Sequence, residues 1–367
     1  MITSKQIFCT ISVILLLILN CCSELERPLD FPYDHGPHFD STFEWWYFTG
    51  KILTIEGETF GFEFTIFKVW TFNLKGFAYL GHLAISNPEA SEHFFAEVET
   101  PPPVSGIEEG ITEIKINNFS YTFSESEGFA IEAEAENLSV NLSLTPTMDV
   151  LPHGQDGIIV MGDGRNSYYY SFTNLQTVGS ISVNGLEYFV SSGRTWMDHQ
   201  WGNYTRLGMF WDWFSLRLDN SGALMLFQFR DNFDNVVRSN WTYRSATGEV
   251  QYGKDFTAQA TRTYEDVNGK CTYPIDWTVD VPEIDASFKV SPLFDEQFLY
   301  DVKTPYYWEG MCSVEGTISS ETMVGMAYVE LTGYKNVGIR DTIYINQTLE
   351  SKLPPVKGVS LLYGQRP

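Results

Sequence analysis

Three carboxylates of this chain sit among indole and phenol rings, and proton chemistry is expected there before anywhere else. Asp212 lies between Trp211 and Trp213, Asp198 is followed by His199, Gln200 and Trp201, and Glu44 directly precedes Trp45 and Trp46. An acid kept in dry, apolar surroundings stays protonated near neutral pH and can donate that proton. Aromatic faces then attract the positive charge that forms on the acceptor. Asp212 ranks first as such an acid, Asp198 second and Glu44 third. The competing reading of Asp212 is a structural ion pair with Arg194 or Arg206. On a strand, alternation puts His199 and Trp201 on one face and Asp198 with Gln200 on the other. His199 would position a water or take its proton, or else be a core histidine that ties strands together.

Other chemistries find no support. His35, His38, His82, His93 and His153 show no i, i+4 pairing and no cysteine partner, so no metal site is expected. No G-x-S-x-G segment is present, and Asp163-Gly164-Arg165-Asn166 is too poor in glycine for a phosphate loop. The formal net charge of −24 excludes a simple nucleic-acid binder, which needs basic clusters. No cofactor is implied.

These side chains would be held on strands. Aromatic residues make up 16 % of the 367 residues and favour sheets. Phe60–Phe67, Ile111–Ile116 and Ile131–Leu144 alternate with period two, each reading as half-buried strand with one wet face. The length suits two domains. The chain also resembles itself. Trp45–Lys68 is an aromatic strand, a turn at Glu56-Gly57-Glu58 and an apolar strand, and Trp211–Arg230 repeats that plan around Asn220-Ser221-Gly222. Two like domains with a boundary near residues 191–206 would explain the repeat, and so would a coincidence between two aromatic hairpins.

The first 22 residues read as an export segment. Lys5 precedes an apolar run from Ile7 to Leu19 of signal-peptide length, and Cys21 and Cys22 follow as candidates for lipidation. An uncleaved membrane anchor is the alternative. Sequons at Asn118, Asn137, Asn141, Asn203, Asn240 and Asn346 agree with export. Cys271 and Cys312 would be joined in a disulfide outside the cytosol or remain unlinked core thiols.

Five segments carry a resemblance: Glu44–Gly50 (EWWYFTG), Tyr168–Leu175 (YYYSFTNL), Ser192–Gly202 (SGRTWMDHQWG), Phe210–Phe214 (FWDWF) and Gly325–Tyr334 (GMAYVELTGY). In this order they closely resemble the hydroxyneurosporene synthase (carotenoid 1,2-hydratase) and AttH family, from about Asp34 to Tyr334. The resemblance implies an all-β fold of two tandem lipocalin-like antiparallel barrels, placed at 30–195 and 205–360 behind the segment 1–22. It also implies a cofactor-free hydratase that protonates an isolated isoprenoid double bond to a tertiary carbocation, which water captures. His199 and Trp201 match family residues associated with hydration. Trp45, Trp46, Tyr170, Trp211, Trp213 and Gln228 are the further candidates for lining an apolar substrate pocket.

One departure qualifies that activity. Family hydratases carry a Tyr-x-Asp pair that here falls on Leu226 and Gln228, and Leu224–Arg230 contains no carboxylate. Either a different acid serves or the substrate is not a carotenoid. The alternative function is a lipocalin-like carrier of lipid or pigment, an accessory to an ABC transporter, tethered at the membrane surface.

Overall fold

The structure, a computed structural model, describes residues 27–71, 75–102, 104, 106–203, 210–267, 269–299 and 307–335. The segment 1–22 with Cys21 and Cys22, Arg206 and the sequon at Asn346 lie outside the described residues.

Twelve strands build the first sheet. They are β1 (Phe43–Thr54), β2 (Thr59–Thr71), β3 (Gly76–Asn87), β4 (Glu92–Thr100), β5 (Glu113–Ile116) and β6 (Phe119–Ser124). After them come β7 (Gly128–Ala135), β8 (Leu138–Pro146), β9 (Leu151–Pro152), β10 (Ile158–Val160), β11 (Asn166–Val183) and β12 (Leu186–Gly202). The second sheet holds β13 (Phe210–Leu218), β14 (Ala223–Arg230), β15 (Val236–Arg244), β16 (Val250–Gly253) and β17 (Thr257–Glu265). It continues with β18 (Thr272–Val281), β19 (Ala286–Pro292), β20 (Phe298–Leu299), β21 (Tyr307–Ile318) and β22 (Glu321–Thr332).

The first sheet runs β4-β3-β2-β1-β12-β11-β8-β7-β6-β5 and the second β16-β15-β14-β13-β22-β21-β19-β18-β17, antiparallel throughout. The second order reproduces the first from β4 through β6, and β5 at the far edge has no counterpart. The hairpins β1–β2 and β13–β14 occupy equivalent places, so the likeness of Trp45–Lys68 to Trp211–Arg230 reflects a repeated fold. Each sheet curls around its own interior, yet the end strands β4 and β5, like β16 and β17, are not hydrogen-bonded to each other. The barrels are therefore open ones.

Three apolar layers result. Inside the first sheet, Phe48 packs on Phe64, Tyr121 and Phe129. Inside the second, Phe214, Trp241, Trp277, Phe288 and Trp308 share one core. The third layer is a seam between the sheets, where Tyr47, Tyr169 and Trp196 meet Trp211, Trp213, Phe227 and Tyr328. The seam explains why β2 is buried on both faces rather than half-buried, because its second face packs on the neighbouring sheet. Ile131–Leu144 is a hairpin and not one strand: the chain turns between β7 and β8, with Glu136 at φ 53°. Both arms keep the wet–dry alternation.

Of the two readings of the paired cysteines, the unlinked core thiols are what the structure shows. Cys271 and Cys312 are both buried free thiols, and the Cys312 thiol donates to the carbonyl of Gly310 at 3.6 Å. Both pack in the second core as small apolar side chains.

Candidate active site

Strand alternation sends one set of side chains into the seam. From β1 these are Phe43, Trp45 and Tyr47, from β2 Glu63, Thr65 and Phe67, and from β12 Asp198 and Gln200. The facing sheet contributes Trp211, Trp213, Phe227, Tyr307, Glu309 and Glu330. Together with Tyr169 they line a narrow cleft, largely filled by its own side chains, with a cavity volume of about 30 Å³. Its walls are aromatic rings and four carboxyls, with no lysine, arginine or histidine among them.

Asp198 is the best-supported acid of this cleft. Its Oδ2 accepts from Tyr169 Oη at 2.6 Å, and its Oδ1 accepts from Trp196 Nε1 at 2.5 Å and from the Ser171 hydroxyl. Burial pushes the carboxyl up to about 7, overriding three donors that favour the anion. Asp198 is thus protonated in part at neutral pH, and its conjugate base is already solvated by fixed donors. Behind it, His153 Nε2 lies 2.6 Å from Ser171 Oγ, and burial followed by the charge of Arg244 lowers that imidazole to about 3. With Ser171 donating to Asp198, the neutral ring donates through Nε2, which fixes its tautomer. On the other side Trp213 Nε1 donates to Tyr169 Oη at 2.9 Å, so an indole of the second sheet orients the phenol that holds Asp198.

Sequence reasoning missed the three further acids of the cleft, Glu63, Glu309 and Glu330. Tyr47 Oη donates to Glu309 Oε1 at 2.5 Å, and the Thr65 hydroxyl donates to Glu63 Oε1. Glu309 Oε2 and Glu63 Oε2 are buried without a hydrogen-bond partner. Burial first, then neighbouring carboxylates, raises Glu309 well above the ordinary range, and burial also raises Glu63. The available signal was a glutamate on the supposedly wet face of an otherwise aromatic strand, as in Phe62-Glu63-Phe64.

The other predicted residues lie elsewhere. His199 faces the interior of the first sheet, with Nε2 2.9 Å from Glu44 Oε1 and Nδ1 3.0 Å from Tyr170 Oη. Both nitrogens are engaged and burial lowers the ring's basicity, so His199 is a neutral core histidine and does not reach the cleft. Trp46 stacks on it at 4.8 Å, and Trp201 stacks on His38 at 4.0 Å, so Trp46, Trp201 and Tyr170 are interior as well. Glu44 is no acid either. Burial alone would raise it, but Lys68 Nζ at 2.7 Å and His38 Nδ1 at 2.7 Å hold it well below the usual carboxylate range.

Asp212, the first-ranked acid, is a structural ion pair. Trp211 and Trp213 point into the seam, whereas Asp212 points to the opposite face of β13. There Arg230 donates to both its oxygens at 2.9 Å, and Tyr334 Oη and Gln228 Nε2 donate at 2.8 and 2.7 Å. Among the described residues the charged partner is Arg230 and not Arg194, and Gln228 belongs to this pair instead of to the cleft.

The structure also assembles ligand types that spacing did not reveal. His38 Nδ1, Glu44 Oε1 and His199 Nε2 fall within 4.8 Å of one another and could hold a metal ion. His38 comes from the lead-in and His199 from β12, 161 residues apart in the chain (199 − 38). Asp34 binds His38 Nε2 at 2.9 Å and would support such a ligand. Lys68 beside Glu44 opposes a dication, and the pairs Asp34–His38 and Glu44–Lys68 already balance their charges.

Two open lipocalin-like barrels joined along an acid-bearing aromatic seam define the class, and the chain belongs to the AttH-like family, whose match covers residues 23–334. Among curated relatives, kievitone hydratase of Fusarium solani subsp. phaseoli is 24 % identical over 321 residues, 83 % of this chain and 86 % of the relative. Dehydratase asqC of Emericella nidulans is 23 % identical over 226 residues, covering 59 % of this chain and 63 % of its own. A crystal structure assigned to AttH of Nitrosomonas europaea superposes with a TM-score of 0.76 at 29 % identity, over 84 % of this chain and 98 % of that one. The kievitone hydratase structure from Nectria haematococca shares the fold at a TM-score of 0.69 and 20 % identity, over 87 % of this chain and 96 % of that one. Hydratases and dehydratases are therefore among its relatives.

Proposed function

We propose that this chain is a hydratase, run in reverse as a dehydratase, that adds water to an isolated double bond of an apolar prenyl-type substrate in the seam cleft. The observation that carries the reading is Asp198, an acid poised near 7 on the wall of an aromatic cleft. Asp198 gives its proton to the less substituted alkene carbon, the π electrons forming the new C–H bond and leaving a tertiary cation. Trp45, Trp211 and Trp213 face that cation and attract it without forming a bond. Water supplies the electron pair of the C–O bond, and its surplus proton returns to the Asp198 carboxylate, which Tyr169, Trp196 and Ser171 stabilise meanwhile. Dehydration retraces the same steps.

The second reading is a carrier that binds a lipid or pigment in the same cleft without chemistry, as an accessory to an ABC transporter. Either activity would be exercised at a membrane surface outside the cytoplasm if the segment 1–22 exports and tethers the chain. The test incubates the full chain with kievitone, an acyclic carotenoid or a geranylgeranyl lipid in ¹⁸O-labelled water. Label in a tertiary alcohol, reduced about a hundredfold or more in Asp198→Asn with ligand binding retained, is the expected result. Tightly bound ligand recovered unchanged from every incubation would favour the carrier.

A further inference from the structure

The seam has a second, oppositely charged end. The face of β1 that carries Tyr47 into the cleft carries Lys51 about 13 Å further along, at the usual strand rise. Beside Lys51 the sheets close tightly: a Cβ on Gly61, its partner in the β1–β2 ladder, would collide with Tyr328 Oη, and the cleft shares no lining residue with the space at the far end. Past that closure lies a solvent-open groove of about 680 Å³, lined in part by Lys51, Arg194 and Arg217.

These three cations converge without acidic partners. Lys51 and Arg194 are directly opposite each other across the β1–β12 ladder, an arrangement in which like charges repel. Arg217 reaches across from the second sheet and donates only to the carbonyl of Arg194. Withdrawal from water, and secondarily the charge of Arg194, lowers Arg217 to about 10, against a raising influence from Tyr328. None of the three forms a salt bridge among the described residues, in a chain with 47 acidic and 23 basic side chains. Ser192 and Gln176 add polar groups without side-chain partners among the described residues, and Asp219 is the one carboxylate on the rim.

We propose that this groove is a binding site for a phosphate-class oxyanion, separate from the acid–aromatic cleft. Two guanidinium forks and an ammonium supply the planar and point-charge donors that such anions take. The anion would also relieve the repulsion between Lys51 and Arg194. The ligand would be either a free phosphate-bearing metabolite or the phosphate headgroup of a lipid, since both offer the same oxygens.

Calorimetric titration of the full chain with inorganic pyrophosphate at low ionic strength tests the site. Saturable binding is expected, weakened about tenfold in Arg194→Gln and in Lys51→Gln. Asp219→Asn should tighten it and Asp198→Asn should leave it unchanged. Both glutamine changes lie on accessible side chains, and the gain expected in Asp219→Asn cannot arise from misfolding. Sedimentation with phosphatidylcholine vesicles, with and without phosphatidylserine, separates the sources. Pyrophosphate-sensitive capture on the anionic vesicles alone identifies a headgroup, and pyrophosphate binding without capture identifies a free anion. Absence of saturable binding at millimolar pyrophosphate, or equal affinity in all four variants, overturns the site.

Discussion

Asp198 differs from Asp212 and Glu44, the other two acids ranked from the sequence, in having only neutral hydrogen-bond donors around it. Asp212 is paired with Arg230, and Glu44 is held below the usual carboxylate range by Lys68 and His38, whereas burial dominates at Asp198. The pH dependence follows with a definite sign. Between the ordinary aspartate value and about 7 the native chain binds a proton that the unfolded chain has released, so Asp198 lowers stability as pH rises through that window. Asp198→Asn should therefore be more stable than the parent at pH 8 but not at pH 4, by at most about 4 kcal/mol, as measured by urea unfolding at both pH values. Activity that uses Asp198 as acid should fall along the same limb, above about pH 7. Equal stability of parent and variant at the two pH values would mean that Asp198 is not buried as a neutral acid. The sequence named Asp198 as a candidate but preferred Asp212, because nothing in Trp-Asp-Trp says that the aspartate faces away from its flanking indoles toward an arginine eighteen residues downstream (230 − 212).

At the scale of the strands, one glycine sets how closely the sheets approach. Gly61 of β2 lies under Tyr328 of β22, where any side chain would meet the phenol oxygen. Gly61→Ala should cost about 1–3 kcal/mol by overpacking. In a double-mutant cycle Tyr328→Phe should recover part of that loss, because it removes the colliding atom while keeping the ring. Additive losses in chemical denaturation would place the strain elsewhere. The strand pattern itself was legible: alternation marked β2, β5, β7 and β8, and the repeated hairpin marked β1–β2 and β13–β14. The turn between β7 and β8 was missed although the rhythm slips there: apolar residues fall on odd positions from Ile131 to Ala135 and on even ones from Leu138, with the polar pair Glu136-Asn137 between. Only Glu136 at positive φ reverses the chain.

For the whole molecule, the seam makes the two sheets interdependent. Trp213 packs edge-on against Tyr47 and Trp196 of the first sheet and donates to Tyr169, so neither sheet keeps this layer without the other. Near-ultraviolet and far-ultraviolet signals should therefore report one coincident unfolding transition, and Trp213→Ala should lower its free energy by about 3–5 kcal/mol. Two resolved transitions in the parent chain would contradict a shared core. The sequence alone determined that this is an all-β chain with a repeated aromatic hairpin and with acids set among rings, because alternation and residue type are local properties. It also assigned His199 and Asp198 correctly to opposite faces. Only the tertiary structure decided which face became the site. Each of these strands is apolar on both sides, and a face becomes barrel interior or cleft wall according to whether its own sheet or the neighbouring sheet covers it.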